Sequence, residues 1–370
     1  MNQVFTWGED DYQFWQRSDI ALDGKVFTTG NPRIDTMRRE VRPFFAREVA
    51  EIQARYGDYV LLNTNFPTVN NLTPQGGGVR LAKWALDPRG KQMEQDFLGN
   101  KRAMYEKVLE IAPRLAEAIA PVTLLIRPHP NEDHEPWKRA VAGVANAQVV
   151  FEGGVVPWII GARALIHNNC TTAVEAAVVG IPILNFRPWQ SGYDNELSHA
   201  FGRDCLDLEA LSSTVRRLMD GSDAGLSREQ ELRLERHIAN VTGKFGCERI
   251  VDILAGSGGP DRSAAGFVAR GKIRLRQKWL WLGKLIQLYS TSRGRRKRKF
   301  LREKYPELRI RRLDAAQLAY GEQQLDLFMR QFPPLTSGDL DERIGRYALS
   351  LNRFDGMRSI TLADNLFTIR

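Results

Sequence analysis

The chain is poor in cysteine. It has three in 370 residues, Cys170, Cys205 and Cys247, widely separated and without a CxxC pair. That spacing excludes a disulfide framework and a thiolate metal cage, and it fits a reducing cytosol. Long apolar runs are missing as well: none approaches the roughly 20 residues that a membrane-spanning helix needs. The opening stretch MNQVFTWGEDDYQFW is acidic and aromatic, unlike a signal peptide. No internal repeat is present. What remains is the composition of a globular protein, 43% apolar and 26% charged.

The net charge of +9 is concentrated in one place. Arg262 to Arg312 holds eighteen Lys and Arg against two acids, so the rest of the chain is net acidic. A uniformly basic nucleic-acid binder does not look like this, and no zinc, helix-turn-helix or base-stacking pattern accompanies the charge. No nucleic-acid partner is expected.

From Lys25 to Phe186, short runs rich in Val, Ile and Leu alternate with helical or small-residue segments. KVFTTG, DYVLLNTNF, VTLLIRPHP, AQVVFEG, ALIHN and IPILNF read as strands, each closed by Gly, Pro, Asn, His or Phe. Asn100 to Ala120 has helical spacing at Met104, Val108, Ile111, Leu115 and Ile119, and Thr171 to Val179 reads as a small-residue helix. Alternation of this kind predicts an α/β fold with a parallel sheet covered on both faces. Such sheets bind ligands at the carboxyl ends of their strands. Leu208 to Met219 and Ser227 to Leu254 read as two further helices. Ala255 to Gly266 has linker composition, and Arg312 to Arg370 reads as mainly helical, with a cap at Thr336 or Ser337.

The stretch IHNNCTTAVEAAVVGIPILNF, Ile166 to Phe186, poses the functional question. A histidine, two asparagines and two threonines interrupt a strand-helix-strand unit that should be buried, so they form either a helix cap or a ligand site. Thr171 and Thr172 stand where the helix begins, an end with unsatisfied N–H groups and partial positive charge that suits an anion. Glu175, three or four positions on, shares their face and can accept ribose hydroxyls. In RPHP, Arg127 and His129 can hold phosphate oxygens by charge-assisted bonds; a rigid turn is the plain alternative. In TTGNPRID, Gly30 makes a turn and leaves Asn31, Arg33 and Asp35 for polar contacts.

FTWGE, TTGNPRID, LLNTNF, RPHP, HNNCTTAVEAAVVGIPIL and NELSHAFGR together resemble the bacterial surface carbohydrate biosynthesis proteins, glycosyltransferases of the GT-B fold. The resemblance covers about Val4 to Leu254. A more distant similarity links the HP motif and the hydroxyl pair to sialyl- and Kdo-type transferases that use CMP-activated sugars, and to the glycerophosphotransferases of teichoic acid synthesis. Another links TGNPRID and the Thr-Thr-x-x-Glu helix to UDP-N-acetylglucosamine 2-epimerases.

These resemblances imply the Rossmann-like, nucleotide-sugar-binding C-terminal half of a GT-B fold, followed by a basic helical tail. They imply a nucleotide-sugar donor, CMP-linked in preference to UDP-linked, as substrate, with no separate cofactor and no metal. They imply a lipid-linked or polysaccharide acceptor in capsule or lipopolysaccharide synthesis. The donor-binding set is Gly30, Asn31, Arg33, Asn63, Arg127, His129, His167, Asn169, Thr171, Thr172 and Glu175. Glu9 and Asp35 are the local acid/base candidates. The N-terminal, acceptor-binding half that normally precedes an FTWGE-like segment has no counterpart in this sequence, and is expected to be lost or supplied by another chain. The domains expected are a linker over 1–27, the donor domain over 28–256, a flexible basic segment over 257–312 and a helical tail over 313–370. An epimerase or glycerophosphotransferase on the same scaffold, or a non-catalytic truncated subunit, are the alternatives.

Within the basic segment, Leu275, Trp279, Leu282, Ile286 and Tyr289 recur at helical spacing among lysines and arginines. This pattern describes a helix lying in a membrane interface, and a helix docked on the protein is its alternative. Through Arg270–Lys304 the chain is expected to attach to an anionic membrane, as a peripheral protein on the inner face of the cytoplasmic membrane.

Overall fold

The computed structural model describes residues 3–17, 25–72, 88–222, 226–256, 335–351, 356–363 and 366–369. The chain divides into two compact units, Met1–Ile250 with Gln331–Arg370, and Val251–Arg330. The main sheet and its polar strand ends belong to the first unit. The expected interfacial helix lies outside the described residues.

The centre is a parallel sheet of six strands: β3 (Tyr59–Asn63), β4 (Thr123–Arg127), β5 (Ala147–Val149), β6 (Ala164–His167), β7 (Ile183–Phe186) and β8 (Arg203–Cys205). Their order across the sheet is β5-β4-β3-β6-β7-β8, parallel throughout. Alternate residues of a strand face opposite sides, and here both sides are dry. Val60, Leu62, Leu124, Ile126, Ile166 and Leu184 enter one core, with Met104, Val108, Ile111 and Leu115 of the long helix α4 (Pro88–Ala118). Tyr59, Leu61, Leu125, Leu165 and Ile183 enter the other, with Trp158 and Ile159 of α6 (Val156–Gly161) and Ala173, Ala176 and Ala177 of α7 (Thr172–Val179). Burial on both faces explains why these strands read as unbroken apolar runs rather than alternating ones. In α7 the alanines let the helix lie close to the sheet, and all seven residues from Ala173 to Val179 are buried.

Two sequence expectations change here. KVFTTG does form a strand, β2 (Val26–Thr28), but it pairs in parallel with β1 (Val4–Thr6) as a separate two-stranded sheet. Its place in the main sheet is taken by β8, whose sequence Arg-Asp-Cys buries only Cys205. Ser227 to Leu254 is two helices, α10 (Arg228–His237) and α11 (Gly246–Gly256). The intervening residues include Asn240, buried and bonded to another loop, and Gly243 at φ 71°.

Beyond residue 334 the helix α12 (Ser337–Leu351) begins beside Thr336, whose hydroxyl accepts from Asp339 N at 3.1 Å while Asp339 accepts from Thr336 N at 2.7 Å. Tyr347 stacks on Phe44 with ring centroids 4.2 Å apart, and Arg346 donates to the Phe44 carbonyl and the Glu48 carboxylate. The chain end forms an antiparallel strand pair, β9 (Ser359–Ala363) and β10 (Leu366–Ile369), where the sequence pattern predicts helix. No described helix is long and apolar enough to cross a membrane.

Candidate functional site

In the strand order, β3, β4 and β5 run outward to one side and β6, β7 and β8 to the other. Between β3 and β6 the winding reverses, and the loops leaving their carboxyl ends diverge into a crevice. The polar residues sit there. Asn63, the last residue of β3, donates through Nδ2 to the Thr172 hydroxyl at 3.0 Å, across the reversal point. Its Oδ1 is buried and without a partner among the described residues. The Thr172 hydroxyl also lies 3.0 Å from Cys170 Sγ.

Thr171 occupies the cap position of α7 but makes no side-chain cap bond. It is exposed, and its N–H makes no hydrogen bond among the described residues, whereas the hydroxyl and amide of Thr172 both face the Cys170 thiol. The cap reading therefore fails on geometry. The helix start keeps the Thr171 hydroxyl and amide unengaged among the described residues, at an end that favours an anion.

Glu175, one turn along, is only 7% exposed. Its Oε1 accepts from Arg33 Nε at 2.6 Å, and its Oε2 is buried without a partner among the described residues. The Arg33 side chain is 60% exposed, so its outer nitrogens remain available to a ligand. From the neighbouring strand end, His129 accepts at Nδ1 from Asn131 N at 3.2 Å, which leaves the proton on Nε2. Burial holds the imidazole below its ordinary pKa, so it is a neutral donor near pH 7.

The loops that carry these groups are tied together by Glu132, fully buried. Oε1 accepts from Thr64 Oγ1 at 2.7 Å, Phe66 N at 2.9 Å and His129 N at 3.2 Å. Oε2 accepts from Trp137 Nε1 at 3.1 Å and Asn70 Nδ2 at 3.4 Å. Burial pushes its carboxyl up while these donors pull it back. Sequence reading passes over this residue; its signal is a carboxylate five positions beyond Arg127, in RPHPNED.

Several expected ligands are engaged elsewhere. Arg127 is buried, and its guanidinium donates to the carbonyls of Glu152 at 3.1 Å and Gly153 at 2.5 Å, pinning the loop before α6 rather than facing a phosphate. Asn169, at φ 56°, accepts from Asn195 N at 2.8 Å and, through its carbonyl, from Asn65 Nδ2 at 2.9 Å. His167 is fully buried, accepts from Cys170 N at 3.3 Å and stacks on His199 with centroids 5.7 Å apart. Desolvation first, then His199, pushes it down to about 3, so it stays neutral beneath the loop.

Asn31 caps the short helix α2 (Pro32–Asp35) by accepting from Arg33 N at 2.9 Å. Gly30, at φ 84°, has no room for a side chain, since an added Cβ meets Asn240 Oδ1 at 2.0 Å. Asp35 is no free acid or base. Its carboxylate accepts from Asn240 Nδ2 at 2.6 Å and from Gly246 N and Cys247 N at 2.8 and 2.9 Å, which makes it the cap of α11. Glu9, exposed in the first turn of α1 (Glu9–Gln16), accepts from Gln13 Nε2 at 2.6 Å and has no described contact with the Thr172, Glu175 and His129 group.

No protein-family description matches this sequence, and no curated protein does. Solved structures similar to it include the wall teichoic acid polymerase TagF, at 12% identity and TM-score 0.42, covering 69% of this chain and 57% of that one. The UDP-GlcNAc 2-epimerase of Neisseria meningitidis bound to UDP-GlcNAc gives 14% identity and TM-score 0.43, with 69% and 61% covered. That of Methanocaldococcus jannaschii with UDP-GlcNAc and UDP gives 14% and 0.40, with 68% and 60% covered. The chain thus spans under two thirds of the length of each.

Proposed function

We propose that the crevice between β3 and β6 binds the nucleotide part of an activated sugar, and that the chain is the donor-binding half of a GT-B glycosyltransferase of bacterial surface polysaccharide assembly. The observation that carries the reading is the Asn63–Thr172 contact at the winding reversal, beside the exposed Thr171 that opens α7 and a buried Glu175 oxygen without a partner among the described residues. The α7 start and His129 Nε2–H would hold phosphate oxygens, and Glu175 with Arg33 would hold the ribose hydroxyls. In transfer, the bond from the sugar's anomeric carbon to the phosphate oxygen breaks with its electron pair leaving on the nucleotide. An acceptor hydroxyl oxygen bonds to that carbon and gives up its proton to a base. Donors aimed at the departing phosphate stabilise its growing charge. With Asp35 committed to α11, Glu9 is the remaining local candidate for that base. CMP-linked donors are preferred over UDP-linked ones in this reading, and the product formed separates it from an epimerase or a glycerophosphotransferase.

Calorimetric titration with CMP and UDP tests the site. His129→Ala, and Thr171→Ala with Thr172→Ala, should each lower affinity about tenfold or more, since a charge-assisted contact is worth about 1.5–3 kcal/mol. Unchanged affinity in both would remove the reading. A lipid-linked acceptor, rather than a free polysaccharide, would call for attachment of the protein to a membrane. Neutralising Arg295 to Lys299 should release it from anionic vesicles in sedimentation while nucleotide binding persists, each cation near such a surface contributing about 1 kcal/mol. Negligible binding of the unaltered chain at moderate salt defeats the attachment.

A further inference from the structure

α4 lays Lys101 on the same stripe as Met104, Tyr105 and Val108, the face turned to the sheet. Lys101 is 7% exposed and makes no hydrogen bond or ion pair among the described residues. Its Nζ stands 5.9 Å from the centre of the Phe66 ring, and Cys170, Asp194 and Glu132 act on it through space. Those four residues belong to four different loops, which leave β3, β6, β7 and β4 at their carboxyl ends. Neither carboxylate requires the lysine. Glu132 already accepts from five donors, and Asp194 is held by Arg187 at 2.7 Å and by Ser191 at 3.0 Å. Cys170 Sγ in turn touches the Thr172 hydroxyl at the start of α7.

A buried ammonium without a direct partner is costly, and desolvation draws the Lys101 pKa below its ordinary value. An anion in the crevice would supply the missing partner. Resting on the nucleotide site proposed above, we infer that Lys101 is a phosphate-binding residue of that site, its Nζ pairing with a phosphate oxygen. Lysine is suited to this as a point charge on a flexible stem that reaches the phosphate only when one arrives. A residue that merely offsets the charge of Glu132 and Asp194 would behave differently. Its loss would lower stability without regard to the number of phosphates on the ligand.

The full chain, unaltered and as Lys101→Met and Lys101→Arg, is titrated with cytidine, CMP, uridine, UMP, UDP and inorganic pyrophosphate, beside thermal melts. Lys101→Met keeps the stem and should lose about tenfold or more in affinity for CMP and UMP and more for UDP, with nucleoside affinity and melting temperature unchanged. Lys101→Arg should recover part of the loss. Equal loss for nucleosides and nucleotides, a fall in melting temperature as the sole effect, or no change at all overturns the assignment. If the unaltered chain binds no nucleotide, the site reading fails on its own, and pyrophosphate alone then decides on Lys101. Pyrophosphate bound equally by the unaltered and Lys101→Met chains, or by neither, overturns it.

Discussion

The turn from Gly30 to Asp35 and the turn from His167 to Thr172 look alike as sequence, small and polar residues between a strand and a helix. The structure uses them in opposite ways. In the first, the Asn31 main chain and side chain and both Asp35 oxygens are bonded to protein, chiefly to Asn240 and the start of α11. In the second, the Thr171 hydroxyl and amide and, beyond them, one Glu175 oxygen have no partner among the described residues. A polar loop is scaffold when its hydrogen-bonding capacity is used up internally, and a candidate site when capacity is left over. Only Arg33, half free and paired with Glu175, belongs to both.

The largest expected effects fall on the scaffold side. Glu132→Ala strands the Trp137, Phe66, Thr64 and His129 donors and should cost about 3–5 kcal/mol, read as a lowered urea midpoint. Asp35→Ala should cost about 2–3 kcal/mol through the lost cap and Asn240 bond, with little change in nucleotide affinity once folded. An Asp35→Ala protein that is fully stable yet unable to bind nucleotide would reverse the contrast between the two turns.

pH sharpens the same contrast. His167 is pushed down to about 3 and His134, chiefly by burial, to about 4, both from about 6.5. The unfolded chain therefore takes up these protons first. Their neutral burial stabilises fully above pH 6.5 and is lost progressively as pH falls toward those values. Each contributes a slope of up to about 1.4 kcal/mol per pH unit. Urea midpoints at pH 7 and pH 5 should differ accordingly, and His134→Gln should remove part of the difference. A pH-independent midpoint across that window contradicts the buried neutral assignment. The smallest effect is at the site itself. Glu175→Gln should change stability little and weaken ribonucleotides a few-fold more than their 2′-deoxy analogues in calorimetry. Equal weakening would detach Glu175 from the ribose.

The core was legible because its strands are buried on both faces. Apolar runs such as Tyr59–Leu62 and Ala164–Ile166 announce themselves without alternation. β8 escaped because three residues with a single buried side chain carry no hydrophobic signal. The break between α10 and α11 escaped because Asn240 and Gly243 interrupt a polar stretch that otherwise keeps helical spacing. At the site, residue types were readable and their partners were not. RPHP names an arginine and a histidine, but whether Arg127 meets a phosphate or the carbonyls of Glu152 and Gly153 depends on a loop 25 positions away. Lys101 was hidden for the opposite reason, as one charge within an apolar stripe that reads as core.

The five bonds to Glu132 bear on kinetics as well as on shape. Backbone amides from the β3 loop and the β4 loop converge on one carboxylate, so neither loop can shift without disturbing the other. Such cross-bracing removes the ordering entropy that mobile loops lose when they close on a guest. A ligand entering at Thr172 and His129 would meet a wall already set. Its on-rate should approach that of rigid-site encounter, and substitutions around the crevice should register in residence time rather than in arrival.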